Sequence, residues 1–224
     1  MRSSRRTFLS VAGTVGVGLA GCLGGGSDAE PDEGETTDAG TPTATPTPEA
    51  ALLDTPVAGD PEASVRVRVF GDFACPHCAD YALNVLPQVA EEFVDRGRVR
   101  YEHHDYPVPV DPTISYQAAV AARSVQVQAD DGVFFEYASR LYANQDSLGP
   151  ETYRRLAGEV DADPERVASD VQSGRYRPTV EADRERGTQV GVDRTPYVLV
   201  DGEFVGEATY ENVAGAIDEA LDAA

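Results

Sequence analysis

The chain has 224 residues, room for one ordinary domain plus further segments, and sets 18 basic residues against 39 acidic ones for a net charge of -21. Every basic residue is arginine. That balance excludes recruitment of nucleic acid or anionic lipid by a basic surface, and the self-repulsion it creates collapses at molar salt, where the Debye length is about 3 Å. The composition therefore reads as that of a protein built for a very salty medium.

In chain order, the first feature is Ser4-Arg5-Arg6-Thr7-Phe8-Leu9, followed by an uncharged run from Val11 to Ala20 that is too short to span a bilayer. This segment resembles a twin-arginine export signal over residues 1–21. It ends in Leu19-Ala20-Gly21-Cys22, which resembles a lipobox, so Cys22 is expected to become the lipidated N-terminus after cleavage. Residues 22–60 shift to Gly, Ser, Thr, Pro, Asp and Glu, a composition that buries no core. As a flexible coil this linker would hold the rest of the chain on the order of 35 Å from a membrane. Its Thr/Pro run is a candidate for glycosylation, which the sequence does not decide.

From residue 61 the pattern becomes that of a folded domain. Val65, Val67 and Val69 alternate with Arg66 and Arg68, which predicts a strand closed by Phe70-Gly71-Asp72. Apolar residues from Ala82 to Phe93 keep helical spacing, and Gly97 stands where a helix would stop. A second strand, Val99 to Tyr106, would lie parallel to the first. Helical patterns then cover Ile114 to Ala129, Val133 to Asn144 and Pro150 to Val160, with another start at Asp163-Pro164. Next the residues predict a hairpin, Tyr197 to Val200 and Glu203 to Val205 about the turn Asp201-Gly202, and a last helix capped by Thr209.

Between the first strand and first helix stands Cys75-Pro76-His77-Cys78. A thiolate is the reactive form of cysteine, and a helix start presents unpaired N–H groups that stabilise it. Cys75 falls at that point, and Cys78, one turn on, is near enough to close a disulfide with it. Cys75 is the expected nucleophile of thiol-disulfide exchange and Cys78 the resolving thiol. Pro76 stiffens the first turn. The imidazole of His77 is expected to stabilise the Cys75 thiolate, and so to make the oxidised pair a stronger oxidant. A zinc site is disfavoured, because with Cys22 lipidated only two cysteines and His77, His103 and His104 remain, and a static disulfide is the other bland reading. Strand alternation at His103 and His104 predicts one ring packed and one solvated, and Phe134-Phe135 reads as core.

The stretch from Phe70 to Tyr81 resembles the active site of the DsbA-like branch of the thioredoxin superfamily, and the resemblance extends from about Val65 to Leu221. It implies an α/β thioredoxin-like fold over residues 61–224 with a helical insert at about 112–187. Gly191-Val192-Asp193-Arg194-Thr195-Pro196 resembles the family's cis-proline loop, which implies a cis bond at Pro196 and a Thr195 backbone that pairs with a substrate chain. Two positions depart from the family pattern. Val69 stands where a buried carboxylate often serves the second cysteine, leaving Asp72 as the nearest acid, and Asp193-Arg194 is more charged than usual. The resemblance implies an enzyme that oxidises cysteine pairs of exported proteins at the outer face of the cytoplasmic membrane, with no cofactor and with a quinone-coupled membrane protein to re-oxidise it. The alternatives are a reductase for cytochrome maturation or thiol repair, and a non-catalytic peptide-binding lipoprotein.

Overall fold

The computed structural model describes residues 52–108 and 111–224. The expected export signal, Cys22 and most of the linker lie outside these residues. Among the described residues, five strands form one sheet in the order β1-β3-β2-β4-β5, with β1 at Val57–Gly59, β2 at Val65–Gly71, β3 at Val99–Asp105, β4 at Tyr197–Val200 and β5 at Glu203–Phe204. Strands β2 and β3 are parallel, as the intervening helix requires, and the other pairings are antiparallel. The hairpin between β4 and β5 turns at Asp201 and Gly202, both with positive φ, a conformation in which glycine carries no steric cost.

Strand β1 corrects the expectation that everything before Asp60 is linker. Val57–Gly59 pairs with β3, the Val57 N–H donates to Asp131, and the Leu53 N–H donates to Thr179 Oγ1. Three residues without alternation carry no strand signal; the exposed N–H and C=O groups along β3 supply the reason for the strand.

After β2 one helical run extends from α1, Pro76–Asp80, through a π turn at Tyr81–Val85, α2 at Leu86–Val89 and a second π turn at Ala90–Val94. Pro87 accounts for the first departure from α geometry: it has no N–H to donate, and its ring would crowd the carbonyl one turn earlier, which the wider π turn relieves. The apolar face of this run and Val213 and Ile217 of α8, Tyr210–Ala223, cover Val65, Val67 and Val69 of the sheet. Each fully buried Val or Phe there contributes roughly 1.5–3 kcal/mol.

The helical block comprises α3 at Pro112–Gln126, α4 at Asp131–Ala143, α5 at Pro150–Glu159, α6 at Pro164–Ser173 and α7 at Arg177–Gln189. Aspartates cap α3, α4 and α6: Asp111, Asp130 and Asp163 each accept from a backbone N–H in the first turn. Prolines at the first helical positions of α3, α5 and α6 complete the start signals. Helix α7 crosses the sheet face opposite α8, and Gly187 permits the approach, since a Cβ there would come within 2.6 Å of the Tyr106 ring. Both faces of β3 are thus covered, which is why His103 and His104 are both buried rather than one being solvated. His104 stacks on Phe70 and faces Asp183 of α7, whereas His103 packs between Phe73 and Phe134.

Candidate active site

The C-terminal end of β2 delivers the chain into Asp72-Phe73-Ala74, whose turn is tied by Asp72 itself. Its Oδ1 accepts from the Ala74 N–H at 2.8 Å, and its carbonyl oxygen accepts from the Cys75 N–H at 3.0 Å. Cys75 is then the N-cap of α1, with extended backbone, and Pro76 and His77 sit on the first turn, His77 exposed. Cys78, one turn on, is 2% exposed and packs in the same core as Ala118, Tyr137 and Leu141 of the helical block. The thiol pair therefore sits on the seam between sheet and insert. Both thiols are free.

Hydrogen bonding at one sulfur and burial at the other separate the two chemically. Cys75 is lowered to about 5: the hydrogen bond from the Cys78 thiol is the largest cause, partial burial opposes it, and Thr195 with the backbone N–H groups of Cys78 and His77 adds to it. Cys78 moves the other way, pushed well above its usual value by burial first and then by Cys75 beside it. The site pairs a thiolate at the surface with a thiol kept protonated behind it. Its place in the motif assigned the tuning role to the His77 imidazole. Instead that residue is exposed, its ring makes no hydrogen bond among the described residues, and His77 acts on Cys75 through its backbone.

Across from the thiols lies the loop before β4. The Thr195–Pro196 peptide is cis, as the resemblance implied, and the Thr195 carbonyl oxygen stands 3.4 Å from Cys75 Sγ. Cys75, Cys78, Pro76, His77, Thr195 and Pro196 thus come together at one end of the sheet. Asp193 and Arg194 pair with each other at 2.8 Å and stay exposed, so their charges face solvent rather than the sulfurs.

Three further groups support the site and were not counted among its residues from the sequence. Asp72 is 2% exposed, and its Oδ2 accepts from the Val108 N–H and the Ser115 hydroxyl. Burial raises its carboxyl against the effect of these donors. Gln145 donates to the carbonyl oxygens of Phe73 and Cys75 at 2.8 and 2.9 Å. His103, on β3, lines a cavity that reaches Cys78. An aspartate just before a turn is a legible Asx signal at Asp72. Gln145 gives none, because its partners lie about 70 residues away.

The thioredoxin family model matches residues 52–219, spanning the described domain. A "Probable disulfide bond formation protein D" of Bacillus cereus is 29% identical over 171 residues, covering 73% of this chain and 77% of its own. Among solved structures, oxidised BdbD of Bacillus subtilis superposes with a TM-score of 0.70 at 24% identity, over 75% of this chain and 93% of its own. DsbA of Chlamydia trachomatis superposes with a TM-score of 0.66 at 22% identity, over 79% and 95% of the respective chains.

Proposed function

The chain belongs to the thioredoxin family, in its DsbA-type branch, and from that premise we propose that it is an exported enzyme that oxidises cysteine pairs of other exported proteins. It is a protein thiol-disulfide oxidoreductase. In the oxidised enzyme a substrate thiolate attacks Cys75 Sγ, the substrate–Cys75 bond forms, the Cys75–Cys78 bond breaks, and the electron pair leaves on Cys78. A second substrate thiolate then attacks the substrate sulfur of this mixed disulfide, and Cys75 departs as a thiolate. The substrate chain lies along Thr195 and Pro196, pairing with the Thr195 backbone. Pro76 stiffens the turn, and His77 contributes through its N–H.

The observation that carries the oxidising direction is the Cys75 thiol held at about 5 beside a buried, protonated Cys78. A stabilised leaving thiolate favours the reduced enzyme, and hence donation of the disulfide. The twin-arginine segment and Cys22 support export and a lipid anchor on the outer face of the cytoplasmic membrane, where a membrane redox partner returns the pair to the disulfide. A redox titration of the domain tests the direction. A potential near about -120 mV is expected, whereas one near about -270 mV assigns the chain to reduction. In the same preparation, Cys75→Ser abolishes oxidation of a reduced peptide and Cys78→Ser, offered a disulfide-bonded peptide, accumulates mixed disulfides; equal turnover by the Cys75 variant overturns the assignment.

A further inference from the structure

Given that exchange reaction, the Cys78 sulfur must gain a proton each time the active-site disulfide opens and lose one each time it closes. At 2% exposure it has no direct access to bulk water. Val69 supplies no carboxylate, and Asp72 is committed elsewhere: its two oxygens accept from Ala74, Val108 and Ser115. What Asp72 offers Cys78 is its backbone N–H, 3.5 Å from the sulfur, a donor that cannot surrender its proton.

On its other side Cys78 borders a cavity of about 60 Å³ lined by Gly71, Tyr81, Tyr101, His103 and Tyr142, and also by the exposed Ser139 and the half-buried Pro196. A water needs only about 10–15 Å³ of such space and two to four polar partners. The missing side chain of Gly71 keeps this space open. A Cβ there would meet Tyr142 Oη at 2.9 Å, His103 Cε1 at 3.6 Å and Cys78 Sγ at 3.9 Å, so all three surround one point. Two buried polar atoms of lining residues, His103 Nε2 and Tyr81 Oη, have no hydrogen-bond partner among the described residues. His103 Nε2 lies 3.4 Å from Asp105 Oδ1, an atom likewise without a hydrogen-bond partner among the described residues, and Asp105 Oδ2 accepts from Arg123 Nε at 2.7 Å.

We propose that His103, oriented by Asp105, exchanges the proton of Cys78 through water held in this cavity. When a substrate thiolate opens the Cys75–Cys78 bond, the thiolate left on Cys78 takes a proton from the water, the water takes one from a ring N–H of His103, and the ring is reprotonated from solvent on the side of Ser139 and Pro196. Closure of the disulfide runs the same path backwards, the Cys78 proton leaving before its sulfur attacks the mixed disulfide at Cys75. The groups facing His103 are Cys78 and Tyr81 from the first helical run, Tyr142 from α4, and Tyr101 and Asp105 from its own strand. Burial holds the hydroxyls of Tyr81, Tyr101 and Tyr142 protonated, so they can align the water but not exchange charge with it.

The test is stopped-flow kinetics of mixed-disulfide resolution on the full chain. His103→Gln is expected to slow resolution by about 10²-fold at neutral pH, the lower part of the range for a lost proton-transfer group. The deficit should shrink as pH rises and hydroxide replaces the relay, while Cys75 alkylation is unchanged. Gly71→Ala, which fills the cavity but keeps the ring, should reproduce the loss, and it carries the test should His103→Gln not fold. Resolution at the wild-type rate and pH dependence in both variants overturns the relay, as does a full loss in Asp72→Asn with none in His103→Gln. Failure of the redox reading itself would be distinct: it would remove exchange from the unmodified chain.

Discussion

The side-chain amide of Gln145 donates to the carbonyl oxygen of Cys75 at 2.9 Å, and the same nitrogen reaches Phe73 at 2.8 Å. The insert therefore grips the active-site turn from behind. Gln145→Ala leaves two carbonyls without this donor and should cost about 1–3 kcal/mol in the reduced form, read as a lowered denaturation midpoint. Gln145→Glu is the sharper variant, since a carboxylate facing those carbonyls also repels the thiolate and should move the Cys75 alkylation midpoint upward.

Arg123 is fully buried between two carboxylates, 2.7 Å from Asp105 and 2.6 Å from Asp183. Replacing it with methionine keeps apolar volume but leaves both acids uncompensated apart from the histidines and the Arg186 contact to Asp183. A loss of about 3–5 kcal/mol in chemical denaturation is expected. A change under about 1 kcal/mol would mean that water or the remaining partners suffice.

The redox state of the pair should couple to stability with a definite sign. A thiol with a folded value near 5 and an unfolded value near about 8.5 binds fewer protons when folded, so its contribution is fully present above the unfolded value and is lost as pH falls through about 5. Only the reduced form has this thiolate. Melting curves should therefore show the reduced protein gaining on the oxidised one as pH rises from about 5 to about 8, and losing that advantage in acid.

The acidic excess gives a separate expectation. With a net charge of -21 and no lysine, repulsion among surface carboxylates should make the fold less stable at low ionic strength, and the melting temperature should climb as KCl is raised toward about 1 M, where the Debye length falls to about 3 Å. A melting temperature independent of salt would remove the argument for a saline setting.

Much of this architecture is legible in the residues because its signals are local. Alternation at Val65, Val67 and Val69, the Asp163-Pro164 start, the Asp201-Gly202 turn and the Cys75–Cys78 spacing each act within a few residues. What escaped is set by tertiary contact. β1 exists because β3 needs an edge partner, His104 is buried because α7 folds back over it, and Gln145 meets Cys75 only once the insert closes. His77 shows the reverse failure: its place in the motif suggests a role for the ring, yet the helical turn leaves that residue exposed to solvent.

The central claim is that Cys75 is ionised at neutral pH because Cys78 donates to it and the chain turns into a helix beneath it. Its rate of alkylation by iodoacetamide, measured against pH in the reduced protein with Cys78 protected by burial, reads this directly. We predict a midpoint near 5. A midpoint near about 8.5, that of an ordinary thiol, would contradict the account.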